Sequence, residues 1–230
     1  MYRYTPGANM PGFSLNPGLL FSIAAFLVAI TVHEFSHALA AMSQGDVTAK
    51  ELGRLSLNPI RHLDPMGTVL LLIMLVSNFG IGWGKPVPVN PANLRNGRQS
   101  MALVSVAGVV ANLLTAVVCG LILRNSGQLQ LSAGAPLVLF RFLNALIAIS
   151  LGLALFNLLP IFPLDGFNVA VNVLPKAAGS KLAQYGHWGP GILMLLIFLP
   201  QFIPGLRSFN VLAVILEPPF RLLEHLIVGT

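Results

Sequence analysis

The sequence predicts an all-α polytopic membrane protein with about five to six membrane helices, and three observations carry that prediction. Hydrophobic residues make up 55% of the chain and charged residues 9%, with a mean hydropathy of +0.80, far from the balance of ordinary soluble domains. Three apolar runs, Gly18 to Met42, Ser100 to Leu123 and Pro136 to Leu159, are each long enough to cross a bilayer core of about 30 Å as a helix. Proline and glycine gather at the ends of the apolar runs, as punctuation between spans does, and no fixed-period repeat stands out. With 230 residues the chain can supply a handful of spanning helices and little more, so a single membrane-embedded domain, 1–230, is expected.

Taken in order, the chain starts with Arg3 and a stretch carrying Pro6, Gly7, Pro11, Pro17 and Gly18. It offers no convincing cleavage site, so no removed signal peptide is expected. After the first span comes a shorter apolar run, Val69 to Phe79, between Asp64-Pro65 and the glycines 80, 82 and 84. Its length predicts a re-entrant or interfacial segment, around 66–84, rather than a full crossing. Beyond Pro160 the chain turns polar. Gly189 to Ile203, with Pro190 and Pro200 inside it, is expected as a fifth element, and Phe209 to Val228, interrupted by Glu217-Pro218-Pro219, as a broken or membrane-surface helix. Cys119, the single cysteine, lies within a span, so it can form neither a disulfide nor a cysteine metal site within one chain and reads as a packing residue. The net charge of +6 comes from basic residues scattered along loops. That is a topology signal, and no nucleic-acid partner is expected.

The chemistry concentrates in His33-Glu34-Phe35-Ser36-His37, inside the first span. On a helix, residues i and i+4 share a face, so both imidazoles can reach one Zn²⁺. Glu34 is swung aside, free to deprotonate a metal-bound water as general base. Such residues are expensive to bury in an apolar helix and are usually functional there. Of the seven acids in the chain, Asp46, Glu51 and Asp64 lie in loop-like sequence and Glu217 and Glu224 in the tail. Asp165 stands just beyond a span, where Pro160, Pro163 and Gly166 free the backbone to curl back, and is the best candidate for a third ligand; an isolated Asp-Gly is more often only a turn.

These residues carry a resemblance to the site-2 protease family of intramembrane metalloproteases. His33 to His37 stands for the family's His-Glu-x-x-His helix, Gly108-Val-Val-Ala-Asn112 for its Gly-x-x-x-Asn-like motif, and Asn157 to Gly166 for Asn-x-x-Pro-x-x-Pro-Leu-Asp-Gly. Gly53 to Thr68 and Gly82 to Asn90 resemble the compact bacterial and archaeal branch. The resemblance covers about residues 18–170, the expected catalytic core, and leaves helices at about 187–228 outside it. It implies a zinc metalloendopeptidase that hydrolyses a peptide bond in or next to a transmembrane segment of a membrane-protein substrate, with zinc on His33, His37 and Asp165. It further implies that Asn157 holds the substrate backbone, while Asn112 either does related work or makes a helix–helix contact. Val109 and Phe167 stand where relatives often have proline and glycine; neither change removes a ligand.

Ligands near the end of the first span and just after Leu159 must meet on one side of the membrane. If Val69 to Phe79 is re-entrant, three crossings precede Asp165 and they do meet. That topology sets Lys50, Arg54, Arg61, Lys85, Arg95, Arg98, Lys176 and Lys181 against Arg3, Arg124, Arg141 and Arg207, so the positive-inside rule puts the metal side in the cytoplasm of a multi-pass cell-membrane protein. His33, about 15 residues or roughly 22 Å into the helix, lies within the cytosolic leaflet, where water needs a polar path. Lys85, His62 and Asp64 are candidates to line it, with snorkelling for the lysine and a turn or cap for Asp64 as the plainer reading. The rival readings are a transporter or channel with a buried His/Glu/Asp cation path, which normally shows paired broken-helix repeats, and a non-catalytic membrane scaffold. Oligomeric state is not legible.

Overall fold

A computed structural model of the chain describes residues 17–69, 83–125, 135–203 and 210–229. The described residues are mainly helical, with one isolated antiparallel bridge between Leu63 and Gly84 in place of any sheet among them. The long helices are α1 (Pro17–Ser43), α3 (Arg98–Asn125) and α4 (Ala135–Asn157), and the four-residue α2 (Thr48–Glu51) follows α1. Then come α5 (Asp165–Val173), α6 (Lys176–Gln184), α7 (Gly189–Phe202) and α8 (Val211–Val228). Among the described residues, four stretches are long and apolar enough to cross a membrane: Gly18–Ser43, Arg98–Asn125, Leu137–Asn157 and Lys176–Pro200. In the last of these α6, a single tight turn and α7 run on almost without a break.

Helices α1, α3 and α4 pack on one another through a core of Ala25 and Ala29, Ala116, Cys119 and Leu123, and Leu143, Leu146, Ile147 and Leu151. Small residues at the contacts let the backbones approach closely, which is how helices associate where lipid removes the hydrophobic drive. Cys119 packs in this core, as its place in the sequence predicted. On the outer side of α3 the residues Leu103, Val110, Leu114, Val117, Val118, Leu121 and Ile122 are all exposed, an apolar face that suits lipid and not water.

Of the two forms expected for the last helix, broken or membrane-surface, the broken one does not occur, since α8 runs unbroken through Pro218 and Pro219. Each proline removes one N–H from the helix ladder, but Phe220, Leu223 and Ile227 are packed against the α1–α3–α4 core, and the Asn210 side chain caps the first turn by accepting from Ala213 N at 3.1 Å. Tertiary packing and a cap outweigh the two lost bonds.

The topology that lets the ligands meet is visible at the end of α1. Arg95 N donates to Gln44 O at 2.9 Å, and Ser100 Oγ to Gln44 Oε1 at 2.8 Å. The chain after α1 therefore leaves and returns on the same side. The expected re-entrant segment falls almost entirely on residues 70–82, outside the described residues.

Asp46, just past α1, anchors this side. It is fully buried, and its carboxylate accepts from Thr48 N (3.1 Å), Thr48 Oγ1 (2.5 Å), Asn90 N (2.7 Å) and Asn93 Nδ2 (3.0 Å). Burial pushes its pKa up, but these hydrogen bonds outweigh burial and hold it below the ordinary 3.8. A depressed folded-state pKa contributes stability that is fully present above the unfolded value and lost as pH falls through the folded one. Asp46→Ala should therefore cost about 3 kcal/mol at neutral pH, by the worth of hydrogen bonds to a buried charge. In thermal unfolding in detergent, the gap from wild type should stay constant down to about pH 4.5 and narrow only below about pH 4.

Candidate metal centre

His33 and His37 lie one turn apart in α1, and both are buried. Their Nε2 atoms are 3.1 Å apart, with ring centroids at 4.6 Å and the rings near perpendicular. Asp165 comes from far along the chain, after the third long helix. It is the first residue of α5, reached through the tight turn Leu158–Leu164, and its Oδ2 lies 3.1 Å from His33 Nε2 and 3.2 Å from His37 Nε2. Gly166 makes that turn feasible, because a Cβ there would come within 2.1 Å of Leu158 O. The structure thus joins three of the residues singled out in the sequence.

Helix α3 supplies the wall behind the pair. Val104, Gly108 and Asn112 succeed one another at intervals of four and so line one face. Val104 O accepts from His37 Nδ1 at 2.7 Å, which fixes the proton on Nδ1 and leaves Nε2 bare in the neutral ring. A Cβ on Gly108 would come within 2.5 Å of His37 Nε2 and 2.7 Å of His33 Cε1, so only glycine lets α3 approach this closely. Asn112 is fully buried against His33 rather than open to an incoming chain, with its amide nitrogen 3.2 Å from Nδ1. Its Oδ1 has no partner among the described residues. Turning the amide half a turn presents Oδ1 to Nδ1–H and leaves Nε2 of His33 bare as well.

The residues fit a metal ion. Zinc bound tetrahedrally at about 2.0–2.2 Å sets its ligand atoms roughly 3.3 Å apart, and the triangle here has edges of 3.1, 3.1 and 3.2 Å. Asp165 Oδ2 receives no hydrogen bond among the described residues. Two bare ring nitrogens and a carboxylate oxygen facing one another repel unless a cation joins them.

Glu34, next to the first ligand, is also buried, and its Oε2 accepts from Val87 N at 2.9 Å. Asn157 ends α4, half-buried, its amide turned back to donate to Leu153 O at 3.0 Å. The three residues considered for a water path have other places. His62 is fully buried with Nε2 2.6 Å from Ser56 O. Asp64 takes the plainer reading, its Oδ1 accepting from Gly67 N at 2.8 Å. Lys85 is exposed, and its backbone is bonded on both sides, N to His62 O and O to Arg54. Phe167, one of the departures from the family pattern, is buried against Gly186 and Phe162. Two neighbours of this site are not singled out by the sequence: Arg54, which reads only as a loop charge and here donates to Lys85 O, and the backbone donor of Val87. The one pointer to Arg54 was the likeness of the Gly53–Thr68 stretch to the bacterial branch.

Two variants test this geometry through metal affinity. Gly108→Ala should abolish stoichiometric zinc binding while the protein still inserts and extracts as wild type. Asn112→Leu should weaken zinc by about 10- to 100-fold, the usual cost of losing the partner of a ligating histidine. Competition with a chelating dye measures both.

The peptidase family M50 model matches residues 124–198, which include Asn157 and Asp165. "Putative zinc metalloprotease YwhC" of Bacillus subtilis is 38% identical over 85% of this chain and 84% of its own length. Two mycobacterial proteins, each named "Putative zinc metalloprotease Rip2", are also similar. The one from Mycolicibacterium smegmatis is 30% identical over 77% of this chain and 66% of its own length. The other, from Mycobacterium tuberculosis (strain Erdman), is 34% identical over 80% and 68%. No solved structure matches the chain. A relative of this identity and coverage, joined to the M50 match, settles kinship: the chain belongs to peptidase family M50, the site-2 protease family, and is a zinc metalloendopeptidase.

Proposed function

We propose that this protease cuts a peptide bond in or next to a transmembrane segment of a membrane-protein substrate, with His33, His37 and Asp165 holding zinc and Glu34 acting as general base. The observation that carries the reading is the triangle of two imidazole nitrogens and one carboxylate oxygen, buried inside a bundle with an apolar outer face and with a second carboxylate, Glu34, beside it. Zinc bound there would lower the pKa of a water molecule and polarise the scissile carbonyl.

The chain's own residues do the rest. Val104 O and Asn112 hold the rings of His37 and His33 in the orientation a ligand needs. Glu34 takes the proton of the attacking water and returns it to the leaving amine. Asn157, half-buried at the end of α4, is proposed to hold the substrate backbone as it unwinds.

The proposed orientation places this side of a cell-membrane protein in the cytoplasm. Support comes from contacts that gather the basic loops on one side. Arg95 bonds to the end of α1, and Arg98 bonds to Val171 O and Leu174 O, next to Lys176. The bilayer and a transmembrane substrate are the partners this reading requires.

The test is cleavage of single-span model substrates by purified protein in liposomes, with zinc measured on every variant. Wild type should cut. Glu34→Gln should keep zinc and lose at least about a hundredfold in kcat/KM, the scale of general-base catalysis, and Asp165→Ala should lose zinc and activity together. Undiminished cutting by Glu34→Gln would remove the mechanism, and cleavage of soluble peptides in preference to single-span ones would remove the substrate class.

A further inference from the structure

Residues 84–90 form an extended strap across the α1 face that carries Glu34. Gly84 lies against Ile30, one helical turn before Glu34, so closely that a Cβ would come within 2.7 Å of the Ile30 side chain. The strap is fastened along its length. Lys85 N donates to His62 O at 2.8 Å, Arg54 donates to Lys85 O at 2.5 Å, and Val87 N donates to Glu34 Oε2 at 2.9 Å. Asn90 N donates to Asp46 Oδ2 at 2.7 Å, while Val89 packs with Ala41, Leu94 and Val104, the residue whose carbonyl holds His37.

Two features single out the middle of this strap. Val87 stands between Pro86 and Pro88, and proline has no N–H. Val87 therefore supplies the one backbone donor between Lys85 and Val89, and a slip of one residue along the strap would leave the Glu34 carboxylate without it. Arg54 is a buried arginine whose Nε has no acceptor among the described residues and whose charge interacts favourably with Glu34. A buried guanidinium is costly, and here it is aimed at the carbonyl two residues before the donor.

We infer that the Val87 N–H orients the Glu34 carboxylate, and that Arg54 is the positioning residue that holds the strap in register for it. The inference rests on Glu34 being the general base and adds how that base is aimed. With Oε2 held by a charge-assisted hydrogen bond, Oε1 is the oxygen left to face the reacting water, and the carboxylate cannot swing into the apolar bundle. Pro88 keeps the preceding Val87 extended, so the donor is set before substrate arrives.

The experiment has an arm that needs no turnover. In the metal-free protein, hydrogen exchange at the Val87 amide should be slow in wild type and at least tenfold faster in both Glu34→Ala and Arg54→Gln. In zinc-loaded liposomes, Val87→Pro, which deletes the N–H in a segment already suited to proline, should lose at least tenfold more kcat than Val87→Ala, which keeps it. Arg54→Gln should lose kcat to a similar degree, Arg54→Lys should recover part of it, and KM and zinc content should stay within twofold throughout. Val87 exchange unchanged by Glu34→Ala, or a Val87→Pro kcat equal to or above that of Val87→Ala, overturns the inference; a rise above wild type would mean that the strap blocks the base. Wild type that cuts nothing would overturn the proposed function instead, and the exchange arm would still decide this inference.

Discussion

Three electron-rich atoms about 3 Å apart in an apolar bundle repel one another unless a cation sits among them, and meeting that condition organises the protein around it. Two of the atoms share a face of α1 because of helical periodicity. The third has to come from the end of the chain's third long helix, which requires that turn to double back on itself at Gly166. The wall must be thin enough to leave room for an ion, which is why α3 presents Gly108 to the imidazoles and not a side chain. Val104 and Asn112, one turn to either side of that glycine, serve the ring nitrogens that point away from the centre. One face of one helix thus supplies both the clearance and the support.

Buried polar groups need hydrogen-bond partners, and the loops on the metal side answer the same demand. Asp46 gathers four donors, Arg54 takes a carbonyl of the strap, and the strap returns an N–H to Glu34. The segment between α1 and α3 thereby ties Glu34, the end of α1 and the start of α3 into one hydrogen-bonded unit. The two imidazoles and the Glu34 carboxylate are held by different parts of the chain, α3 for the first and the 45–98 region for the second. These two supports can be perturbed separately.

Much of this was legible in the sequence because it depends on short-range periodicity and composition. The three long spans follow from runs of apolar residues and the shared face of His33 and His37 from an i, i+4 spacing, whereas Gly108 and Asn112 stood out only through the family resemblance, and their place behind the two histidines came from the structure. The broken form expected of the last helix as one of two does not occur: Pro218-Pro219 is a strong local signal, whereas the packing of Phe220, Leu223 and Ile227 that overrides it is tertiary. Arg54 and Val87 were missed for a related reason: one looks like any loop charge, and the other acts through its backbone, which every residue but proline possesses.

By itself the sequence determined that the chain lives in lipid, that His33 and His37 face one point and that Glu34 stands beside them, since each follows from side-chain chemistry repeated at the pitch of a helix. It could nominate Asp165, but only the tertiary structure decided that its carboxylate closes the triangle, that Asn112 faces His33, and that the strap delivers an N–H to Glu34. Those contacts join residues tens to more than a hundred positions apart, and their geometry is set by how helices pack and turns close, which no local pattern encodes.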